Sequence, residues 1–299
     1  TGVVSSSFRG DEDVNGASET TLIANGLAHH VIRWRTEPVG VVLCHGFLDI
    51  GWSFDAVARR LVEAGHGVVS FDWRGHGRTE WVGAGGYYHF PDYVLDLDEL
   101  IPQWTDAPVH LVGHSMGGSA CAMFAAARPE RVRSLSLIEG IGPPEMEPRD
   151  PAARLRAWLL GVEKVRRKSA RPIANAREAL MRMRVQNPEL GEELGALLIE
   201  RSTEPVEGGL RWSFDPLHKT WAPRPFQAAL FAKLLGAIEA PTLVVAGERG
   251  FRLEDEQERI SRIPNHRFVE IPEVGHMIHW FAADELASAL ARFFADDAA

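Results

Sequence analysis

Short apolar runs at 39–44, 68–71, 109–112, 135–138, 242–246 and 267–271 recur along the chain, rich in Val, Leu and Ile. Runs of that length suit strands buried on both faces of a parallel sheet, because helices cover such a sheet above and below. The stretches between them, 53–64, 91–104, 116–127, 255–263 and 282–294, read as helices. Strand alternating with helix is the pattern of a wound α/β sheet. Ahead of it, the alternating segments 19–24 and 28–34 flank Asn25-Gly26, a strong hairpin turn, and predict an antiparallel pair.

The rhythm breaks once. From Gly142 to about residue 240 the pattern is helices and loops, with no clear strand belonging to the sheet. A structureless connection of that length would be abnormal, so it reads as a helical lid, inserted where loops surround the ligand crevice of a parallel sheet. The expected division is a tail at 1–17, a core at 18–141 and 241–299, and the lid at 142–240. Within the lid, residues 149–184 hold eleven Lys/Arg against three Asp/Glu, although the whole chain is formally −9. The bland reading of this run is a solvated helix face; the sharper one is attraction of an anion. The apolar residues Trp158, Leu159, Leu160, Trp212, Phe214, Trp221, Phe226 and Phe231 are expected to form the lid's core, with some facing the crevice. The acidic balance argues against nucleic acid, which needs a basic surface. Two cysteines, a polar N-terminus and the lack of a long uncharged apolar run predict a soluble, cytoplasmic protein with no disulfide framework and no membrane span.

Chemistry is concentrated at Gly113-His114-Ser115-Met116-Gly117, placed between a predicted strand and a predicted helix. That context is what a nucleophile elbow requires: a turn so tight that the serine is strained and its neighbours must be small. Serine needs a base, and His276, just after the predicted last strand, is the candidate, with His279 as runner-up. His114 should point away from Ser115 and pack in the elbow. The oxyanion donors would be the N–H of Met116 and that of Phe47, in the loop after the run 39–44. No zinc motif occurs, and no metal or cofactor is expected.

Four segments in order, His45-Gly46-Phe47, Asp72 to Thr79, the elbow at Ser115, and Gly275-His276, resemble the α/β-hydrolase superfamily over nearly the whole chain. Gly86-Tyr87-Tyr88, Phe90-Pro91-Asp92-Tyr93 and the segment 137–144 are similar to its serine hydrolase-like branch. The resemblance implies an α/β-hydrolase fold and a Ser-His-acid triad. It also implies an acid in a Gly-x-x-Asp turn after the run 242–246, where this chain reads Gly247-Glu248-Arg249-Gly250. Glu139, ending the preceding strand as the acid does in some relatives, is the favoured substitute; Glu248, Glu254 and Asp255 stay open. Asp72 is expected to brace loops with Arg74. The function so read is a serine hydrolase cleaving an ester or related acyl bond of a small, largely apolar substrate through an acyl-enzyme. The alternative is a binding or interaction protein with vestigial catalysis, suggested by the glycine at 250. Oligomeric state is left open.

Overall fold

The structure is a computed structural model that describes residues 16–34, 38–145, 150–167 and 171–296. Most of the N-terminal tail lies outside these residues. Eight strands form one sheet in the order β1-β2-β4-β3-β5-β6-β9-β10. They are β1 (Ser18–Ala24), β2 (Leu27–Arg33), β3 (Val39–Cys44), β4 (Gly67–Phe71), β5 (Val109–His114), β6 (Val132–Ile138), β9 (Thr242–Gly247) and β10 (His266–Ile271). The β1–β2 and β2–β4 pairs are antiparallel, and the strands from β4 to β10 run parallel. The hairpin turns at Asn25-Gly26, both at positive φ, as a type I′ turn demands.

Alternation along the buried strands divides the core into two. Val41 and Leu43 of β3 face α1 (Asp55–Glu63), α9 (Ile278–Phe281) and α10 (Ala283–Asp296). Val42 and Cys44 face α2 (Phe90–Leu100), α3 (Met116–Ala127), α7 (Ala228–Leu235) and α8 (Glu256–Arg262). Because successive side chains point to opposite faces, an unbroken apolar run is what a doubly covered strand needs.

The insertion between β6 and β9 contains α4 (Pro151–Arg167), α5 (Ala176–Arg184), α6 (Glu192–Ser202) and α7. It also contains a small antiparallel hairpin, β7 (Thr203–Val206) with β8 (Gly209–Trp212), separate from the main sheet. Four-residue strands, one carrying Pro205, leave too weak a signal to read from sequence. The apolar residues do not gather into a core of the insertion's own. Leu159, Leu160 and Trp221 are exposed, while Phe231 and Leu235 of α7 pack into the core beneath the sheet with Leu135 and Val244.

A buried polar clamp ties three regions together. The ring of His30 lies between Glu19 Oε2, 2.6 Å from Nε2, and Asp72 Oδ2, 2.8 Å from Nδ1. Glu19 also accepts from Arg78 at 2.6 Å and from Arg201 of α6 at 2.5 Å. Asp72 further accepts from the backbone N–H groups of Gly51 and Arg78. The expected brace between Asp72 and Arg74 is not what forms. Arg74 turns instead to Asp96 of α2, with Nε 2.7 Å from Oδ2, while Asp72 takes its donors from His30, Gly51 and Arg78.

Burial opposes a charge on His30, yet its two carboxylates outweigh this and raise its pKa from 6.5 to about 9. A group with a raised folded-state pKa stabilises fully below its unfolded value and loses that contribution as pH rises through the folded one. Stability should therefore fall between pH 6.5 and about 9 by an amount on the order of 3 kcal/mol. Urea midpoints across that window are the measurement; a His30→Asn variant, less stable at pH 6.5, should show a flatter profile.

Candidate active site

Parallel strands deliver the candidate groups to one rim. Ser115 follows β5 directly, at φ +52° and ψ −116°, and α3 starts at the next residue, Met116. The strained residue is held by its N–H, which donates to Ile138 O of β6 at 2.9 Å. A Cβ on Gly117 would stand 2.4 Å from His45 O, so only glycine lets α3 approach the loop after β3. Met116, as first residue of the helix, has an N–H with no intrahelical acceptor. Phe47 lies in that loop after β3, half exposed, and both residues line the cavity above Ser115.

Glu139 is the residue after β6 and adopts φ +50°. Its carboxylate is nearly inaccessible, at 2% exposure, against 38% for the His276 ring. Oε1 accepts from Gly247 N at 2.8 Å, and Oε2 from Phe251 N at 2.8 Å and His276 Nδ1 at 3.1 Å. A Cβ on Gly250 would be 2.0 Å from Glu139 Oε1. The glycine that stands where an aspartate is expected is thus the space into which the neighbouring strand's glutamate reaches. The other candidate carboxylates point elsewhere. Glu248 accepts from Glu273 N, Asp255 pairs with Arg259 at 2.8 Å, and Glu254 is exposed.

His279 does not face the cavity. It is fully buried, with Nε2 3.0 Å from Asp49 Oδ2 and its ring stacked on Phe54. Between it and His276 lies His114, whose ring centroid is 4.4 Å from one and 4.7 Å from the other. Burial, with His279 and His276 adding to it, pushes the His114 pKa well below 6.5. The neutral ring then donates from Nε2 to His276 O at 3.0 Å. Donor atoms of Asp49, His114 and His279 come within 4.8 Å of one another. Nε2 of His114 is taken by His276 O and Nε2 of His279 by Asp49 Oδ2, while the two Nδ1 atoms are buried with no partner among the described residues; the bond to His276 O ties the cluster to the loop that carries His276.

Ser115, Met116, Glu139 and His276 border a cavity of about 640 Å³. Its apolar wall comes from Phe47, Tyr87, Tyr88, Phe90 and Phe251, and its roof from Leu217, His218, Thr220 and Ala222 of the insertion. None of the eight apolar insertion residues singled out in the sequence lines it. The insertion's side facing the cavity is the 3-10 turn Pro216–Lys219, held by Asp215 N donating to Gly75 O and by Tyr88 Oη donating to Asp215 Oδ2. His218, a lining residue with no sequence signal, packs its ring against Tyr88, donates from Nε2 to Arg74 O at 3.3 Å and accepts at Nδ1 from Tyr93 Oη at 3.4 Å. Burial lowers its pKa to about 4, the polar contacts to Arg74 and Gly75 opposing, so the ring is neutral. The aromatic segment 86–93 could have been read as a pocket wall, since aromatic side chains are a predominant lining of ligand pockets.

A profile of the alpha/beta hydrolase fold family matches residues 40–283. The chain belongs to the α/β-hydrolase fold family. A 3-hydroxybutyrate-oligomer hydrolase of Cupriavidus necator is 30% identical to this α/β-hydrolase over 262 residues, 84% of this chain and 86% of that protein. A serine hydrolase-like protein of Danio rerio is 29% identical over 186 residues, 61% of this chain and 57% of the other, so the match spans just over half of that relative. Among solved structures, the thioesterase domain from the curacin biosynthetic pathway superposes with a TM-score of 0.85 at 30% identity, covering 92% of this chain and 99% of that domain. These likenesses place the α/β-hydrolase in the serine hydrolase-like branch and make it a hydrolase. Among its described residues, no helix is long and apolar enough to cross a membrane.

If Glu139 sets the space at 250, the two positions are coupled. Gly250→Ala alone should cost about 1–3 kcal/mol through overlap with the carboxylate, and almost nothing in a Glu139→Gly background. Urea unfolding of the four proteins in this cycle is the check; additive penalties would show that something else confines Gly250.

Proposed function

We propose that this α/β-hydrolase cleaves an ester or thioester of a small, largely apolar acyl compound through an acyl-enzyme. One observation carries the reading: Ser115 and a carboxylate-paired His276 border the same apolar cavity. In this reading Ser115 Oγ bonds to the scissile carbonyl carbon while its proton passes to His276 Nε2. The imidazolium keeps its Nδ1–H on Glu139, whose charge stabilises it. The N–H groups of Met116 and Phe47 receive the oxyanion. Collapse expels the alcohol or thiol with the proton from His276, and water activated by the same ring releases the acid. Relatives named as an oligomer hydrolase and a thioesterase fit this choice of bond.

The insertion acts as a roof over the site, on the support of its six cavity residues (Pro143, Pro144, Leu217, His218, Thr220 and Ala222) and of the Asp215 and Tyr88 contacts that seat it. The covering part is residues 143–227, since α7 packs with the sheet's core. The reading as a binding protein with vestigial catalysis leaned on the glycine at 250; with Glu139 filling that space, the support is gone.

Ser115→Ala should abolish labelling by a fluorophosphonate and turnover of 4-nitrophenyl esters while leaving the thermal midpoint unchanged; retained esterase activity would remove Ser115 as nucleophile. Glu139→Gln should lower kcat about 10³–10⁴-fold, because the amide can stabilise the wrong imidazole tautomer. Moving the acid offers a second check on Glu139. In the Glu139→Gly protein, adding Gly250→Asp should restore kcat at least about tenfold, a recovery worth roughly 1.4 kcal/mol in the barrier. No recovery, with the fold intact, would mean His276 takes no help from a carboxylate at this spot.

A further inference from the structure

A second cavity, of about 590 Å³, shares the wall residue Tyr87 with the first. Tyr87 is fixed in that wall: Oη lies 2.7 Å from Thr220 Oγ1 and donates to Trp221 O at 3.0 Å. Its ring meets Trp158 of α4 edge-on, with centroids 5.5 Å apart. Trp158, Leu159 and Val162 give the second cavity an apolar lining, and Arg166, Arg167 and Glu163 give it a charged end.

Two observations at this end point to an anion. Among the described residues Arg166 makes one hydrogen bond, Nη2 to Ala84 O at 3.2 Å, leaving further N–H groups of its planar fork for a ligand. Arg167 is occupied by Glu163 at 2.9 Å. The side-chain charges of Arg166, Arg167 and Glu163 sum to +1, which matches a singly charged group; a phosphate dianion would meet Glu163 with surplus charge. A carboxylate has the charge and the two-oxygen face that a guanidinium receives best. The surrounding segment 149–184, basic within an acidic chain, would draw such a group in.

We propose that this second cavity is the distal half of the substrate site and receives a carboxylate carried at the end of the substrate remote from the scissile bond. The apolar middle of the substrate would run past Tyr87, and the carboxylate would meet Arg166. The inference deepens the reading of Ser115 as nucleophile and rests on it for the position of the scissile bond.

The test uses two series of esters of increasing length, one with the terminal carboxylate on the acyl side and one on the alcohol side, each beside a neutral methyl-ended analogue. For the wild type, kcat/KM for the carboxylate ester over its analogue should exceed one by at least about tenfold in one series once the chain can pass Tyr87. Arg166→Gln should cut that ratio about tenfold, through KM. Salt at about 0.5 M should collapse the ratio in the wild type. Ratios at or below one in both series at every length overturn the proposal, as does a ratio that Arg166→Gln leaves unchanged. If the wild type cleaves no ester of either kind, the reading of Ser115 has failed, and titration calorimetry with suberate decides the cavity separately. Suberate binding that Arg166→Gln weakens upholds the subsite; no binding removes it.

Discussion

Everything at this site follows from parallel strands ending on the same side. Phe47 lies just beyond β3, Ser115 follows β5, Glu139 follows β6, Gly250 lies in the turn after β9 and His276 in the loop after β10. Neighbouring strands sit about 4.8 Å apart, so groups one or two strands away need only the reach of a side chain to meet. Burial on both faces fixes the register of these strands, since slipping one residue would turn an entire apolar face the wrong way. The hydrophobic core therefore sets the geometry of the polar rim, and the strain at Ser115 and Glu139 is borne by backbone bonds into adjacent strands.

The same division of labour appears away from the rim. The Glu19–His30–Asp72 clamp lies at the antiparallel edge, where the first hairpin joins the parallel sheet, and Arg201 carries it into the insertion. Arg201 also lies over the ring of Trp52, 4.4 Å from its centroid. With Asp215 on Gly75 and Tyr87 on Trp221, the insertion is fastened to the body at several separate points. These polar anchors act beside apolar ones: Ile173, Leu180, Leu190, Leu198 and Ile199 of the insertion share a core with Trp52 of the body, while Leu160 and Trp221 remain at the surface.

Local patterns were legible and long-range pairings were not. Alternation and apolar runs sufficed for all eight strands of the sheet, and α3 spans the residues its pattern predicts, because burial imposes those patterns residue by residue. The placement of Ser115 between strand and helix was equally open to reading, as was Glu139 at a strand end. What escaped was whatever depends on two distant segments meeting. Asp72 and Arg74 are adjacent enough in sequence to suggest a brace, yet His30 and Asp96, each far along the chain, take them. His279, three residues from His276, is separated from the cavity by the stacking of His114. The hairpin β7–β8 is too short to leave a period, and His218 sits in a turn whose sequence carries no motif.

The interlock between Glu139 and Gly250 also has an evolutionary side. A lineage holding this arrangement cannot return to an aspartate after β9 in one step. Substituting 250 first sets a second side chain against the resident carboxylate, and losing Glu139 first leaves His276 without a carboxylate among the described residues around it. Each intermediate is worse than either end, so the two positions must change together or not at all. A steric barrier therefore separates the two placements of a carboxylate at this rim. Descendants that keep the glutamate should keep the glycine as well.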